Sequence, residues 1–565
     1  MPVNAAPSLG KRVRHLQRYR QIAQILIRNG FGWFIDGVGL ADLLTLPKRM
    51  FSDVQKRDTL TTVERIRTVV ERLGPTFVKL GQVASLRRDI FPPELITELS
   101  KLQDEVPPVS FEQVKGVVGE ELGHPLEDVF ESFDPVPIGS ASIGQVHRAV
   151  LKGGDVVAVK VQRPDIRGQI RVDLEVLADL AQMAERRFDW ARHYQIGDVV
   201  AEFTRSLHDE LDYTQEGRNA DRIRKIFTDD ELVKIPEIYW DLTTSKVLVM
   251  EFVEGVKLTD QVTLIARGYD PKQLAENAAR AVFTQLLLYG VFHADPHPGN
   301  LAALPNHAIL FMDFGMVGRL TQDMKDRLAT LVVGLMRRNT DMILRALRHM
   351  GVVPVDVNED LLRRDVDALR EKYYDIPLSQ VSLAESVADI FQVAYRHRIK
   401  IPADLALVGK TLLTIEGVVE ELDPGFRIMD VAEPFGRQLL KEQLHPKTVG
   451  RHLLGTAIDV GDFLIDFPRQ VRLMVREIGH GRVKVQMEVS EVNNIMGKLD
   501  RISNRLSFAV MLLALSIFVA GLLIASALAK TSNLLWRFPI TQVGLIMGGL
   551  MLLLLVWSII RSGRM

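Results

Sequence analysis

The segment Val291-Phe-His-Ala-Asp-Pro-His-Pro-Gly-Asn300 sets His293, Asp295 and Asn300 in the pattern H-x-D-x-x-x-x-N. Phe311-Met-Asp-Phe-Gly315 follows, with Asp313 placed 13 residues after Asn300. These residue types suit phosphoryl chemistry. ATP phosphates need a divalent cation, and Mg²⁺ prefers hard oxygen ligands such as the Asp313 carboxylate and the Asn300 amide oxygen. Asp295 stands where a base, or a group orienting the nucleophile, is needed. His293-x-Asp295-x-His297 also has metal-ligand spacing, so a metallohydrolase competes. That alternative explains neither Asn300 nor the later Asp-Phe-Gly, and neither does a polar loop merely bent by two prolines.

Upstream lie the parts such a site requires, in the order found in protein kinases. Gly139-Ser-Ala-Ser-Ile-Gly144-Gln-Val146 reads G-x-A-x-x-G-x-V, a phosphate-covering loop with Ala141 in place of one glycine. The Ala141 Cβ limits how closely the backbone approaches phosphate. Val157-Ala-Val-Lys160 follows, with Lys160 14 residues beyond Val146, where its ammonium would hold α- and β-phosphates. The nucleotide contacts expected here are Gly139, Ser140, Ala141, Ser142, Ile143, Gly144, Val146, Ala158 and Lys160. Val247-Leu-Val-Met-Glu-Phe-Val-Glu-Gly255 reads as a strand and hinge receiving adenine at Met250, Glu251 and Val253. Gly409-Lys410-Thr411 mimics the end of a P-loop, but the earlier glycine position is Asp404 and the segment is apolar-periodic, so it reads as core helix.

The elements that position these residues follow from periodicity. Val146 to Val150 and Val156 to Val161 flank Gly153-Gly154 as a hairpin, and Val233 to Tyr239 and Lys246 to Phe252 are strand-like. Thr61 to Gln103 (broken at Gly74-Pro75 and Pro92-Pro93), Phe111 to Gly119, Leu126 to Phe130, Asp165 to Arg187 and Val199 to Arg224 read as helix. After Gly255 nearly everything reads as helical apart from Ile309 to Met312. Strands first and helices second predict a small mixed lobe followed by a helical lobe. On one continuous helix, Asp212 and Glu216 share a face whereas Glu210 and Asp212 do not.

Lys79-Leu-Gly-Gln82, Glu210-Leu-Asp212 and the alanine-bearing loop resemble the UbiB/ADCK family of atypical protein-kinase-like ATPases over Thr61 to Leu440. The resemblance implies an α+β, bilobal protein-kinase-like fold with an N-terminal helical extension. It also implies that this extension folds across the active site, with Lys79 meeting Glu210 or Asp212 and with Gln82 in a regulatory role. It pairs Lys160 with Glu216, whereas spacing alone favours Glu175, fifteen residues after Lys160. Without the resemblance, Lys79 and Gln82 read as solvated side chains at a helix-end turn around Gly81. ATP and Mg²⁺ are the implied cofactors, with Asp295, Lys160, Glu216 and Lys79 as catalytic residues. Support of ubiquinone (coenzyme Q) or another isoprenoid quinone's biosynthesis is the implied function. The implied partners are membrane lipids, quinone precursors and quinone-biosynthesis enzymes. A non-hydrolysing pseudokinase scaffold and a membrane-bound protein kinase are the rival readings. The short run from Gly315 into Leu320-Thr321, with no A-P-E after it, leaves little chain for a peptide-docking platform and disfavours the last.

The 565 residues are 47% apolar and 25% charged, with net charge -1 and no cysteine. This excludes wholesale disorder, disulfide scaffolds and thiol chemistry, and the charge balance argues against a general nucleic-acid binder. Residues 507–529 and 540–560 carry no charge and are long enough to cross a bilayer, so a C-terminal transmembrane helical hairpin is expected. Arg501, Arg505, Arg561 and Arg564 against Lys530 and Arg537 place the body on the cytoplasmic side of an inner membrane. The N-terminus, with Lys11, Arg12, Arg14, Arg18, Arg20 and Arg28 before the first acid, Asp36, reads equally as a helix on anionic lipid or one packed on its own domain. The expected domains are 1–125 (basic helical extension), 126–254 (N-lobe), 255–440 (C-lobe), 441–506 (helical linker) and 507–560 (the hairpin).

Overall fold

The computed structural model describes residues 9–40, 44, 60–102, 106–193, 195–336, 339–350, 357–373 and 381–444, with five more between 513 and 521. The chain divides into two compact units, Met1–Leu453 and Leu454–Met565. Nearly all of the second unit lies outside the described residues, as does the expected linker 441–506 beyond residue 444.

Among the described residues the strands are β1 (Phe130–Phe133), β2 (Gly139–Ser140), β3 (Gly144–Leu151), β4 (Val156–Gln162), β5 (Val233–Lys234), β6 (Val247–Glu251), β7 (Val256–Lys257), β8 (Val291–His293), β9 (Leu301–Leu304), β10 (Ala308–Phe311) and β11 (Val317–Arg319). The first lobe is an antiparallel sheet in the order β1-β3-β4-β6, with β2 paired to β3. Its hairpin turns at Gly153-Gly154, where Gly154 has φ +91°, a conformation that favours glycine. Val157, Val159 and Val161 of β4 point to one face and pack with Val114 and Val118 of the Phe111–Leu122 helix. Each such valine is worth roughly 1.5–3 kcal/mol when fully buried, so this helix is what gives the sheet a core.

The N-terminal extension has a core of its own. The helices Leu9–Arg28, Thr62–Leu73 and Pro75–Ala84 pack on Ile166–Arg187 and Ile196–Glu210. Thr61 and Glu64 form a capping box that starts the second of these helices. Ile22, Ala23 and Ile27 of the basic first helix are buried here, so that apolar face belongs to its own domain. Arg18 reaches the buried Asp173 at 2.5 Å, and Thr76 donates to the same carboxylate at 2.7 Å.

In the second lobe, the helices Pro271–Phe283 and Ala403–Leu422 form a core with β9 and β10. Of the five short strands β7 to β11, four occur where helix was expected, and β10 coincides with the run Ile309 to Met312 read as strand. They are two to four residues long, too short to display a period, and Ala302-Ala303 in β9 suits helix by propensity. The segment read as one helix over Val199 to Arg224 breaks at Leu211-Asp212 into Ile196–Glu210 and Tyr213–Ile226. Asp212 caps the second helix by accepting from the Thr214 N–H at 3.1 Å.

Among the described residues no helix is long and apolar enough to cross a membrane, so the expected multi-pass hairpin and its inner-membrane placement are not supported by the structure. The most apolar long helix described, Ala403–Leu422, carries Asp404, Glu416, Glu420 and Glu421 and packs within the lobe. The runs 507–529 and 540–560 lie, but for those five residues, outside the described residues.

Candidate functional site

Between the lobes lies a cavity of about 480 Å³, within the usual range for small-molecule sites. Gly139, Ser140, Ala141, Ile143, Gly144 and Val146 roof it, and Ala158 and Met250 line the sheet side. Glu251 to Gly255 form the hinge, and Asn300, Met312 and Asp313 the floor. The roof is a tight turn in which Ala141 N–H donates to Gly144 O at 2.8 Å. Arg163 clamps the turn by donating to Ala141 O at 2.8 Å and Ser140 Oγ at 2.9 Å. Ser142 is buried and turned away from the cavity wall. In the hinge, the Glu251 and Phe252 N–H groups donate to Glu237 O and Val156 O. Among the described residues the Val253 N–H has no acceptor, and Val253 lines the cavity.

Charge is concentrated at the inner end. Lys160 on β4 donates to both Glu216 oxygens, at 2.7 and 2.9 Å, and lies 3.5 Å from Asp313 Oδ1. Glu175 is elsewhere, 2.9 Å from His15 Nε2. Burial works against the Lys160 charge, but Asp313 and Glu216 outweigh it and hold the ammonium well above the ordinary lysine range. Burial pushes the Glu216 carboxyl up to about 7 against the pull of Lys160. Lys160, opposed by partial desolvation and helped by the Gly315 N–H, holds the Asp313 carboxyl well below the usual carboxylate range. Asp313 takes φ +57°, a left-handed conformation that aspartate tolerates better than most residues.

Lys79, on the Pro75–Ala84 helix, also lines the cavity and pairs with Glu210 at 2.6 Å. The helix runs straight through Gly81, where a Cβ would collide with Leu102 and come within 3.1 Å of Val70. The glycine is therefore a close-packing residue and not a helix-end turn. Gln82 points away from the cavity and donates to Leu102 O at 3.3 Å. Asp212, occupied as a helix cap, does not share the site with Glu216; the break before it cancels the expected common face.

His293 is buried, with Nδ1 accepting from Asp295 N–H at 3.2 Å and Nε2 donating to Met312 O at 3.0 Å. Burial lowers its pKa and favours the neutral ring. With both nitrogens engaged, His293 fastens the Asp295 loop to the Asp313 segment and is no metal ligand. Among the described residues no group of three or more His, Cys, Asp or Glu is arranged to hold a metal. The donors that suit Mg²⁺ are Asp313 and Asn300. Asn300 Nδ2 donates to Asp295 O at 3.2 Å, so its amide oxygen is the atom left for a cation. Asp295 is not among the residues that line the cavity; its Oδ1 lies 3.0 Å from Lys410 Nζ.

Sequence reasoning missed three residues here. Tyr213 is buried beneath Gly144 with its hydroxyl unpartnered, and the Lys160 ammonium sits 5.4 Å from its ring centroid. Arg163 reaches the site from a segment with no motif of its own, and Lys410 from the Gly409-Lys410-Thr411 segment, which is core helix as read.

Family models match the chain in three stretches. These are an ABC1 atypical kinase-like domain over residues 101–347, a UbiB helical domain over 366–427 and an ABC1/UbiB kinase-like C-terminal domain over 490–561. The chain is 37% identical over 486 residues to the uncharacterized protein sll1770 of Synechocystis, covering 84% of this chain and 83% of that one. It is 36% identical over 436 residues to the probable protein kinase UbiB of Pseudomonas fluorescens, covering 76% and 80%. Among solved structures, the Rv3197–erythromycin complex from Mycobacterium tuberculosis shares 25% identity and a TM-score of 0.47, with 65% of this chain and 93% of that chain covered.

Proposed function

Since the chain belongs to the ABC1/UbiB family of atypical kinase-like proteins, we propose that its inter-lobe cavity binds ATP with Mg²⁺ and turns it over. The observation that carries this reading is the ionised Asp313 set beside a Lys160 latched to Glu216 at the inner end of a nucleotide-sized cavity. Lys160 would grip the α- and β-phosphates, the Val253 N–H would receive the base, and the Ala141–Gly144 turn would cover the phosphates. Mg²⁺ held by Asp313 and Asn300 would neutralise phosphate charge. Asp295 accepts the nucleophile's proton as its oxygen bonds to the γ-phosphorus and the β,γ-bridging bond breaks, leaving ADP with the electron pair.

The acceptor is water or a small, isoprenoid-linked molecule on the route to a quinone. The quinone assignment rests on the family resemblance. Exclusion of peptides is supported by the path after Gly315, where β11 leads directly into the Gln322–Met336 helix and leaves no platform. A scaffold without turnover has no use for an ionised Asp313 beside Lys160.

Calorimetry on the full chain should register ATP uptake only when Mg²⁺ is present, and phosphate release should fall by about 10²-fold or more in Asp313→Asn. No magnesium-dependent uptake would overturn the reading. Lipid extracts of a strain lacking the chain should accumulate a quinone precursor; unchanged pools would remove the acceptor class and leave the ATPase.

A further inference from the structure

Lys410 lies in a helix with no part in the nucleotide site described above, yet its ammonium reaches the candidate base. The rotation of that helix is fixed by its two neighbours in sequence. A Cβ on Gly409 would meet the Phe391 ring, and Thr411 is fully buried, donating to Leu407 O at 2.9 Å. With Gly409 and Thr411 both turned into the packing, Lys410 emerges toward the Asp295 loop. There its Nζ lies 3.0 Å from Asp295 Oδ1 and 3.8 Å from Met316 Sδ, the residue that follows Asp-Phe-Gly. The side chains of Lys410 and Asp295 retain 24% and 36% of their exposure, so the pair is shielded more than a surface ion pair but still open to solvent.

The rest of the loop is secured through its backbone, by His293 and by the Asn300 side chain. None of those bonds fixes the Asp295 carboxylate. Among the described residues, Lys410 is its side-chain partner. We propose that Lys410 is the positioning residue of Asp295: it holds one carboxylate oxygen so that the other is presented to the nucleophile. The Ala403–Leu422 helix thereby becomes part of the phosphoryl-transfer apparatus. Lys410 touches no reacting atom and works through Asp295. The proposal rests on the ATP-turnover reading given above.

The test is steady-state ATP turnover by the full chain, with Mg-ATP binding measured separately. Lys410→Met should lower kcat by about 10–100-fold, a share of what general-base catalysis supplies. KM and the Kd for Mg-ATP should stay within about threefold, because an interaction made only in the transition state changes kcat and not binding. Lys410→Arg should recover most of the rate. Asp295→Asn combined with Lys410→Met should be no slower than Asp295→Asn alone, since residues acting as a unit are non-additive. Lys410→Gln repeats the measurement if the methionine variant does not fold, as judged by its thermal midpoint. An active wild type with Lys410→Met or Lys410→Gln equally fast overturns this proposal alone, as does a double variant slower by the product of both effects. A wild type that binds and hydrolyses no Mg-ATP overturns the ATP reading and this proposal with it.

Discussion

Lys160 is gripped by a glutamate whose protonation is itself in play. Above about pH 7 Glu216 is ionised and holds the ammonium; below it the carboxyl takes a proton and the grip is lost. kcat/KM for Mg-ATP should therefore fall as pH drops through about 7, approaching tenfold per unit. Glu216→Gln should flatten that limb at a low rate. A wild-type profile that is level from pH 6 to 8 would show that Glu216 does not control the site. Lys160, Asn300 and Asp313 were legible in the sequence because each sits in a motif at fixed spacing. The Lys160 partner was not legible by counting, since spacing favours Glu175 and that carboxylate turns to His15. Tyr213 and Lys410 were invisible for a related reason: their roles come from tertiary approach, and no local pattern encodes it.

The Pro75–Ala84 helix brings Lys79 to the cavity wall only because Gly81 lets it lie against Leu102, Leu99 and Val70. Gly81→Val should cost roughly 1–3 kcal/mol by overpacking and draw Lys79 away from Glu210. A lowered thermal midpoint together with altered Mg-ATP affinity would show both effects, and a midpoint equal to the wild type would refute the packing role. Periodicity located this helix and Gly74-Pro75 marks its start, but its end at Ala84 carries no glycine or proline and the expected helix ran on to Pro92-Pro93. The helix break at Leu211-Asp212 escaped notice, although aspartate before Tyr213-Thr214 is an ordinary N-cap signal. That one break decides which acids face the nucleotide site: Glu210 and Glu216 do, and Asp212 does not.

Across the molecule, the N-terminal extension is tied to the far end of the helical lobe. Asp89, fully buried, accepts from Arg87 at 2.9 and 3.0 Å and from the Ile401 N–H at 3.0 Å, just ahead of the helix that carries Lys410. Asp89→Ala leaves the Arg87 charge buried without its closest partner and should cost about 3–5 kcal/mol. Denaturant unfolding should show it, and a change under 1 kcal/mol would mean that the tie contributes little. The order of the two lobes could be read from strands preceding helices. Of the five short strands of the second lobe only β10 could, and the expected membrane hairpin found no counterpart among the described residues. Lys79 has a practical consequence as well. Part of the wall that a nucleotide mimic would touch is supplied by a helix outside both lobes. An inhibitor bearing an anionic arm long enough to compete with Glu210 for that ammonium would find no such contact in kinases lacking the extension, so its selectivity would be built into the scaffold it targets.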